Sequence, residues 1–277
     1  MNILLTGSGG FIGQHLKKFL TKYNLYTPRS YELNLLDKNA VTNYLRDNNI
    51  EFIIHSAASG VRITPDATNE DVAKPNIEMF NNLAESNLPM ITIGSGAEYD
   101  KSKDIINVSE DDFGKSIPQD PYGYSKYMIS KKIEKQENIL NLRLFGIYGS
   151  GENPSRVTSC IINSIINNAS IELNQNVKFS FIYIDDFCKI VEYFIHNFPK
   201  EKFINVAQPD TITIKELAEL SNVINGGNSS IIFKQKGMNK EYTANTELLS
   251  GILNNFKFTT YSEGLLKLYN HLKGLDK

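Results

Sequence analysis

The sequence Thr6-Gly7-Ser8-Gly9-Gly10-Phe11-Ile12-Gly13 joins a short apolar run to the first amphipathic segment of the chain. The run Ile3-Leu4-Leu5 is typical of a buried parallel strand, and the hydrophobic residues behind the glycines recur at helical spacing. Glycine permits a tight turn between strand and helix and lets the backbone approach a pyrophosphate. The free N–H groups at the helix start attract the phosphate charge. The position of this glycine motif predicts a dinucleotide-binding site.

Strands and helices alternate through the following segments. Further strands are predicted at residues 25–27, 31–35, 51–55, 90–93 and 139–144, and helical patterns separate most of them. Such alternation is typical of a parallel sheet with right-handed crossovers. We therefore predict an α/β fold with a Rossmann-like, doubly wound parallel sheet. Residues 1–150 are the expected dinucleotide-binding domain. Residues 151–277 are mostly a smaller, partly discontinuous substrate-binding region, with segments near 179–206 returning to the first domain.

The composition is that of a globular chain with balanced charge. Its 277 residues include 29 Lys and Arg against 31 Asp and Glu, which gives a net charge of −2. This balance argues against a broad basic surface for nucleic acid or for a membrane. The sequence has no apolar run of the ~20 residues that a membrane span requires, and its N-terminus lacks a signal-peptide pattern. Cys160 and Cys188 stand outside any metal-ligand spacing. We expect a cytoplasmic protein without a metal.

The segment after the second predicted strand bears on the choice of coenzyme, because the ribose 2′ position is bound there. An acidic residue favours NAD, whereas an arginine pairs with the 2′-phosphate of NADP. The segment contains Arg29, and its first acidic residue is Glu32. Arg29 favours NADP; NAD is the alternative if Arg29 is a solvated loop residue. Asp37 either contacts the adenine or caps a helix. The predicted coenzyme residues are Gly7, Gly10, Phe11, Ile12, Gly13, Arg29, Leu36, Asp37, Ala57, Ala58, Tyr122 and Lys126.

Tyr122 and Lys126 form a Tyr-x-x-x-Lys pattern. Positions i and i+4 share one face of a helix, so the two side chains are predicted to be neighbours. A fixed ammonium group favours the ionised form of a phenol, which can then exchange a proton with a carbonyl or a hydroxyl group. Ser95 follows the strand predicted at 90–93, at the end where open parallel sheets bind ligands. Ser95, Tyr122 and Lys126 are therefore the predicted catalytic residues.

These motifs, in this order, resemble the extended short-chain dehydrogenase/reductase family, of the NAD-dependent epimerase/dehydratase type that modifies sugar nucleotides. The resemblance rests on the glycine motif, His55-Ser56-Ala57-Ala58, Ser95, Tyr122-x-x-x-Lys126, and the segments 76–83, 142–149, 181–186 and 203–206. It implies a nicotinamide enzyme whose C-terminal region holds the diphosphate of a nucleotide sugar. It also implies that Tyr122 is the acid/base, that Lys126 holds the nicotinamide ribose, and that Ser95 binds the reacting oxygen. Family members often dimerise, so a homodimer is expected.

Two departures from the family narrow the reaction. The 4,6-dehydratases carry an Asp-Glu pair directly after the active-site Ser or Thr, where this chain has Gly96 and Ala97. The epimerase/reductases that make GDP-fucose use a Cys and a His, and the Ser95 loop contains no Cys. The remaining reactions are NADPH-dependent reduction of a nucleotide-linked 4-keto-(6-deoxy) sugar, for surface-polysaccharide synthesis, and NAD-dependent 4-epimerisation. Arg29 favours the reduction. A catalytically silent binding protein is the third alternative, and the intact triad argues against it.

A third departure concerns the diphosphate of the substrate. The family often has Arg-Asp before the strand that ends in Asp-Asp, whereas this chain has Phe179-Ser180 there and Lys178 one residue earlier. Because a strand alternates faces, that shift points Lys178 to the opposite side. Arg156 and Lys240 are the alternatives. The predicted substrate residues are Ser95, Gly96, Ala97, Asn153, Arg156, Lys178 and Tyr183.

Overall fold

A computed structural model of the chain describes residues 1–59, 68, 69 and 71–275. The strands are β1 (Asn2–Thr6), β2 (Asn24–Tyr26), β3 (Phe52–His55), β4 (Met90–Ser95), β5 (Ile105–Val108), β6 (Ile139–Leu144), β7 (Gly146–Tyr148), β8 (Ile171–Leu173), β9 (Lys178–Tyr183), β10 (Phe203–Val206), β11 (Thr211–Thr213), β12 (Ile231–Phe233) and β13 (Tyr242–Ala244). The helices are α1 (Phe11–Phe19), α2 (Lys38–Asp47), α3 (Ala73–Ala84), α4 (Pro121–Ile133), α5 (Val157–Ile166), α6 (Ile184–His196), α7 (Ile214–Ile224), α8 (Glu247–Leu253) and α9 (Tyr261–Leu272). None of the helices in the described ranges is both long and apolar enough to cross a membrane.

The first of two units comprises the described residues of Met1–Ser102, Glu110–Leu144 and Cys188–Asn205. Its six-stranded sheet has the order β10-β6-β4-β3-β1-β2, and the strands from β2 to β6 pair in parallel. Strands β3, β4 and β6 are buried along their whole length, as expected for a sheet covered on both faces. The chain runs outward from β1 to β2 and then continues on the other side of β1 with β3. This reversal is the switch point at which doubly wound sheets bind ligands, and it confirms the predicted fold class.

Two glycines allow the chain to turn between β1 and α1. Gly7 has φ +70°, and a Cβ atom at this position would lie 2.6 Å from the backbone nitrogen of Ala57. A Cβ atom at Gly13 would lie 2.1 Å from the carbonyl oxygen of Gly7. Because any other residue would collide with neighbouring backbone, these glycines hold α1 close to the ends of β1 and β3.

The prediction of a strand at residues 31–35 is wrong, because this segment forms turns. The carbonyl oxygen of Arg29 accepts hydrogen bonds from the backbone nitrogens of Glu32 and Leu33, both at 2.9 Å. The carboxylate of Glu32 accepts in return from the backbone nitrogen of Arg29 at 2.6 Å. Leu33 is buried and Leu35 is partly buried against the same core. Their alternation, which suggested a strand, therefore reflects two side chains that reach the core from a turn.

The second unit comprises Lys103–Ser109, Phe145–Phe187 and the described part of Val206–Lys277. One of its sheets has the order β11-β9-β13-β5, with β7 also paired to β9, and β8 and β12 form a separate parallel pair. Helices α5, α7 and α9 pack against one another. After Leu144 the chain enters this second unit. Strand β9 belongs to the second unit, and the segment that returns to the first unit is Cys188–Asn205.

Candidate active site

A cleft of about 450 Å³ lies where the carboxyl ends of β1, β2 and β3 meet in the first unit. The described residues that line it are Thr6, Gly7, Ser8, Gly9, Gly10, Pro28, Arg29, Ser30, Leu33, Asn34, Leu35, Leu36, Ala57, Ala58, Ser59, Pro75 and Met79. Six of the predicted coenzyme residues are among them, namely Gly7, Gly10, Arg29, Leu36, Ala57 and Ala58. The volume is within the usual range for small-molecule sites, and the glycine turn leaves backbone open to a ligand. The cleft therefore offers the backbone groups that the pyrophosphate of a dinucleotide requires, while Tyr122 and Lys126 lie outside its described lining.

Other predicted coenzyme residues lie outside the described lining. Phe11 and Ile12 begin α1, and the ring of Phe11 makes an edge contact with His15 at 5.3 Å between centroids. Gly13 lies in the same helix, behind the turn. Asp37 is the N-cap of α2, where its Oδ1 accepts from the backbone nitrogen of Ala40 at 3.0 Å. Of the two alternatives for Asp37, the structure thus shows the helix cap.

Arg29 is the one charged side chain among the described residues of the cleft lining. It is exposed, and a Cβ atom at Gly9 would lie 2.3 Å from its Nη1 atom. The guanidinium group therefore lies beside the backbone of the glycine turn. The nearest acidic residue along the chain, Glu32, points its carboxylate at the backbone of Arg29, as described above.

His55 ends β3 and links the strand ends at the cleft. Its Nδ1 atom lies 2.8 Å from Oγ1 of Thr6, and that hydroxyl oxygen accepts from the backbone nitrogen of Ala57 at 3.2 Å. A hydroxyl group can donate one hydrogen bond and accept two, so Thr6 Oγ1 can serve Nδ1 in either tautomer of the neutral imidazole while it accepts from Ala57. Burial, together with the charge of Lys126, lowers the pKa of His55 to about 3. His55 is thus a neutral structural link near the site. In the sequence, His55 was visible only as the first residue of the motif His55-Ser56-Ala57-Ala58.

The three predicted catalytic residues lie on β4 and α4. Ser95 is the last residue of β4, and its Oγ atom accepts from the backbone nitrogen of Ala97 at 3.1 Å. Tyr122 stands in the first turn of α4, which Asp120 caps by accepting from the backbone nitrogen of Gly123 at 2.8 Å. Lys126 lies one turn further, with its Nζ atom 5.9 Å from the centroid of the Tyr122 ring. The i, i+4 spacing therefore brings the ammonium and the phenol together.

The ammonium group of Lys126 also ties α4 to β4. Its Nζ atom donates a hydrogen bond to the carbonyl oxygen of Ile93 at 2.6 Å, two residues before Ser95. Burial lowers the pKa of Lys126 to about 8, and the negative charge of Glu98 opposes that shift. Lys126 is thus a cation at neutral pH that has little water around it, so it acts strongly on its neighbours.

Glu98 and Arg143 form a buried ion pair that sequence analysis missed. Both side chains are 0% exposed, and Nε of Arg143 donates to Oε2 of Glu98 at 2.8 Å. Glu98 belongs to the 3-10 turn Gly96–Tyr99 that follows Ser95, and Arg143 lies in the apolar strand β6. A charged residue inside a buried strand indicates a buried partner, so Arg143 was the available signal. The sequence alone does not say which carboxylate pairs with it.

A family model matches residues 3–207, and its family is the NAD dependent epimerase/dehydratase family. The chain belongs to this family. GDP-L-colitose synthase of Yersinia pseudotuberculosis is 26% identical to it over an alignment of 283 positions, which covers 90% of this chain and 91% of that relative. The resemblance stated from the motifs is confirmed. The protein is therefore an NAD(P)-dependent enzyme of the extended short-chain dehydrogenase/reductase type, and its coenzyme is a nicotinamide dinucleotide.

Two solved structures share the fold of this epimerase/dehydratase family member. UDP-glucose 4-epimerase of Thermotoga maritima with UDP-glucose has a TM-score of 0.84 and 20% identity, covering 99% of each chain. GDP-mannoheptose C4 reductase of Campylobacter jejuni with NADP bound has a TM-score of 0.83 and 19% identity, covering 98% of each chain. One is named as an epimerase and the other as a reductase. At these identities the likeness concerns the fold, which is common to both reactions.

Most predicted substrate residues of this family member lie in the second unit. Asn153 is exposed and accepts from Ser155, and Arg156 donates from Nη1 to the carbonyl oxygen of Ile147 at 2.8 Å. Lys178 begins β9 with its Nζ atom 3.8 Å from a carboxylate oxygen of Glu241. The remaining four are buried: Ser95 at the end of β4, Gly96 and Ala97 in the turn that follows it, and Tyr183 at the end of β9.

Proposed function

We propose that the protein uses NADPH to reduce a nucleotide-linked 4-keto-(6-deoxy) sugar. The observation that carries this proposal is Arg29, the one charged side chain among the described residues that line the dinucleotide cleft. A 2′-phosphate needs a cation, and arginine binds phosphate through paired hydrogen bonds. The carboxylate of Glu32, which would favour a free ribose hydroxyl, is directed to the Arg29 backbone instead. NADPH supports net reduction, whereas an epimerase returns its hydride to the same sugar.

The catalytic residues have complementary tasks in this reaction. The coenzyme supplies the hydride that the C4 carbonyl carbon receives. Ser95 already accepts a hydrogen bond from the backbone, so its hydroxyl proton is available to the carbonyl oxygen of the sugar. Tyr122 protonates the developing alkoxide, and the ammonium group of Lys126 stabilises the phenolate that results.

A direct absorbance assay with defined substrates tests this proposal. NADPH loss is followed by absorbance with freshly prepared 4-keto-6-deoxy sugars on GDP, CDP and dTDP. GDP comes first because two of the relatives described above are named for GDP sugars. With NADPH deuterated at the transferred position, NMR of the product should show deuterium at C4. The Tyr122→Phe variant is the control for uncatalysed loss.

The alternatives give different results in the same assay. A nucleotide-sugar 4-epimerase would consume no NADPH and would instead interconvert ordinary sugar nucleotides on bound NAD. A catalytically silent member of the fold would bind coenzyme firmly and turn over neither. Either result refutes the reductase proposal.

The place of the reaction and the assembly follow from the same proposal. An enzyme that consumes NADPH works where that pool is maintained, so we place it in the cytoplasm. The homodimer expected from the family resemblance stays a prediction. Light scattering of the purified protein on a sizing column tests it directly.

A further inference from the structure

The carboxylate of Glu98 accepts hydrogen bonds both from the backbone of Ser95 and from side chains of α4 and β6. Its Oε1 atom accepts from the backbone nitrogen of Ser95 at 3.0 Å. Its Oε2 atom accepts from Oγ of Ser130 at 2.5 Å and from Nε of Arg143 at 2.8 Å. Nδ2 of Asn141 lies 3.2 and 3.3 Å from the two carboxylate oxygens. One side chain thus contacts β4, α4 and β6.

The surroundings of Arg143 show why a negative charge is needed at Glu98. The guanidinium carbon lies 4.4 Å from the ring centroids of both Phe113 and Phe203, and Nη1 donates to the hydroxyl of Tyr99 at 3.0 Å. No described residue accepts a hydrogen bond from its Nη2 atom. A permanently charged guanidinium group in such a place requires a carboxylate beside it.

The contact with Ser130 connects Glu98 to the catalytic helix. Ser130 lies four residues after Lys126, so both side chains occupy the same face of α4. Lys126 in turn lies four residues after Tyr122. We infer that Glu98 is a positioning residue: its carboxylate fixes the backbone of Ser95 against the helix that carries Tyr122 and Lys126. This inference rests on the catalytic roles given to those three residues under the proposed function.

A second effect of Glu98 is electrostatic. Among the described residues, the titratable groups placed to act on the ammonium group of Lys126 are the Glu98 carboxylate, the neutral imidazole of His55 and the phenol of Tyr122. Lys101 lies against the same phenol, with its Nζ atom 5.8 Å from the ring centroid. Of these groups, Glu98 is the one that favours the protonated lysine. Loss of its charge should therefore lower the pH at which Lys126 titrates.

The test is the substitution Glu98→Gln, which keeps the size of the side chain and removes its charge. We expect kcat to fall roughly 10- to 100-fold with KM nearly unchanged, because small displacements of catalytic groups have effects of this order. The titration midpoint of Lys126 should also move to lower pH. NMR of protein carrying carbon-13 lysine measures that midpoint without substrate, with Lys126→Met for assignment. Glu152→Gln removes a similarly buried carboxylate in the second unit and should leave the midpoint in place.

The outcomes separate this inference from the proposed function. A folded Glu98→Gln protein with wild-type kcat overturns the inference, and so does a fall in kcat with an unmoved Lys126 midpoint, because Glu98 is then only structural. If Glu98→Gln does not fold, Ser130→Ala decides, since it keeps the ion pair and removes the contact of Glu98 with α4, together with the hydrogen bond that Nδ2 of Asn141 donates to Oγ of Ser130 at 2.8 Å. A severalfold lower kcat with unchanged KM supports the inference, and wild-type kcat overturns it. Full activity of Tyr122→Phe would instead refute the proposed function, whereas the effect of Glu98→Gln on the Lys126 midpoint is measured without substrate and is read independently of that result.

Discussion

If Arg29 binds the 2′-phosphate as proposed, the substitution Arg29→Ala should convert a coenzyme site selective for NADPH into one that accepts both coenzymes. Hydrogen bonds to charged groups contribute about 1.5–3 kcal/mol, and each 1.4 kcal/mol changes a dissociation constant about tenfold. Because Arg29 is exposed, solvent and salt screen part of its attraction for a phosphate. We therefore expect the low end of this range, an NADPH affinity about 10- to 30-fold weaker. NADH affinity should change less than about twofold, since NADH offers no 2′-phosphate to lose.

Fluorescence titration of each coenzyme, at low and at high salt, measures the effect. In the unmodified protein NADPH binding should weaken with salt more than NADH binding does, and in Arg29→Ala the two slopes should become similar. Lys22→Ala is the matched control. It removes an exposed cation of the same unit, one that pairs with Glu192 at 2.8 Å and does not line the cleft.

Two results would refute this argument. Equal losses of NADPH and NADH affinity would mean that Arg29 supports the shape of the turn and not the phosphate. Unchanged affinity for both would make it a solvated loop residue. Either result would remove the argument for NADP and favour the NAD-dependent epimerase.

Three further predictions address catalysis and stability. Tyr122→Phe should lower kcat about 10²- to 10⁴-fold by removing the proton donor, with coenzyme affinity from fluorescence nearly unchanged; normal turnover would contradict the mechanism. Gly13→Ala should lower the free energy of unfolding in urea by about 1–3 kcal/mol, because its Cβ would lie 2.1 Å from the oxygen of Gly7. Gly251→Ala, with open space around it in α8, should not destabilise, and equal losses would refute the steric argument. Burial holds the pKa of His55 near 3, below its ordinary 6.5, so only the unfolded chain gains its proton as the pH falls. The protonation of His55 alone should therefore lower the free energy of unfolding by about 2 kcal/mol from pH 7 to pH 5. In His55→Asn this contribution should be missing from the pH dependence of the free energy of unfolding measured in urea.

Local sequence patterns predicted the parts of the molecule that local forces determine. The glycine turn joins a strand and a helix that follow each other in the chain, so the spacing of Gly7, Gly10 and Gly13 was sufficient to predict it, although the close approach of Gly7 to Ala57 after β3 was not visible in that spacing. The neighbouring positions of Tyr122 and Lys126 follow from helix geometry alone. The helix start before Tyr122 carries its own signals, with Asp120 as the cap and Pro121 in the first turn.

Such local patterns could not predict which strands or side chains pair across long distances in the chain. The segment after residue 101, where no strand was predicted, contains β5, whose Ile105 pairs with Tyr242 of β13. No periodicity within either segment indicates its partner. The carboxylate that neutralises Arg143 could not be chosen from the sequence for the same reason. At residues 31–35 the error was different, since the hydrophobic alternation was real but the backbone hydrogen bonds were satisfied within turns.

The fully buried pair of Glu98 and Arg143 also restricts the order in which mutations can accumulate in this chain. Removal of one partner from a buried ion pair typically costs about 3–5 kcal/mol, a large part of the 5–15 kcal/mol that holds an ordinary protein folded. Replacement of both partners by apolar residues of similar volume is often neutral. In a library of random variants selected only for folding, survivors altered at position 98 should therefore be altered at position 143 as well. The two positions, 45 residues apart in the chain, should therefore change together.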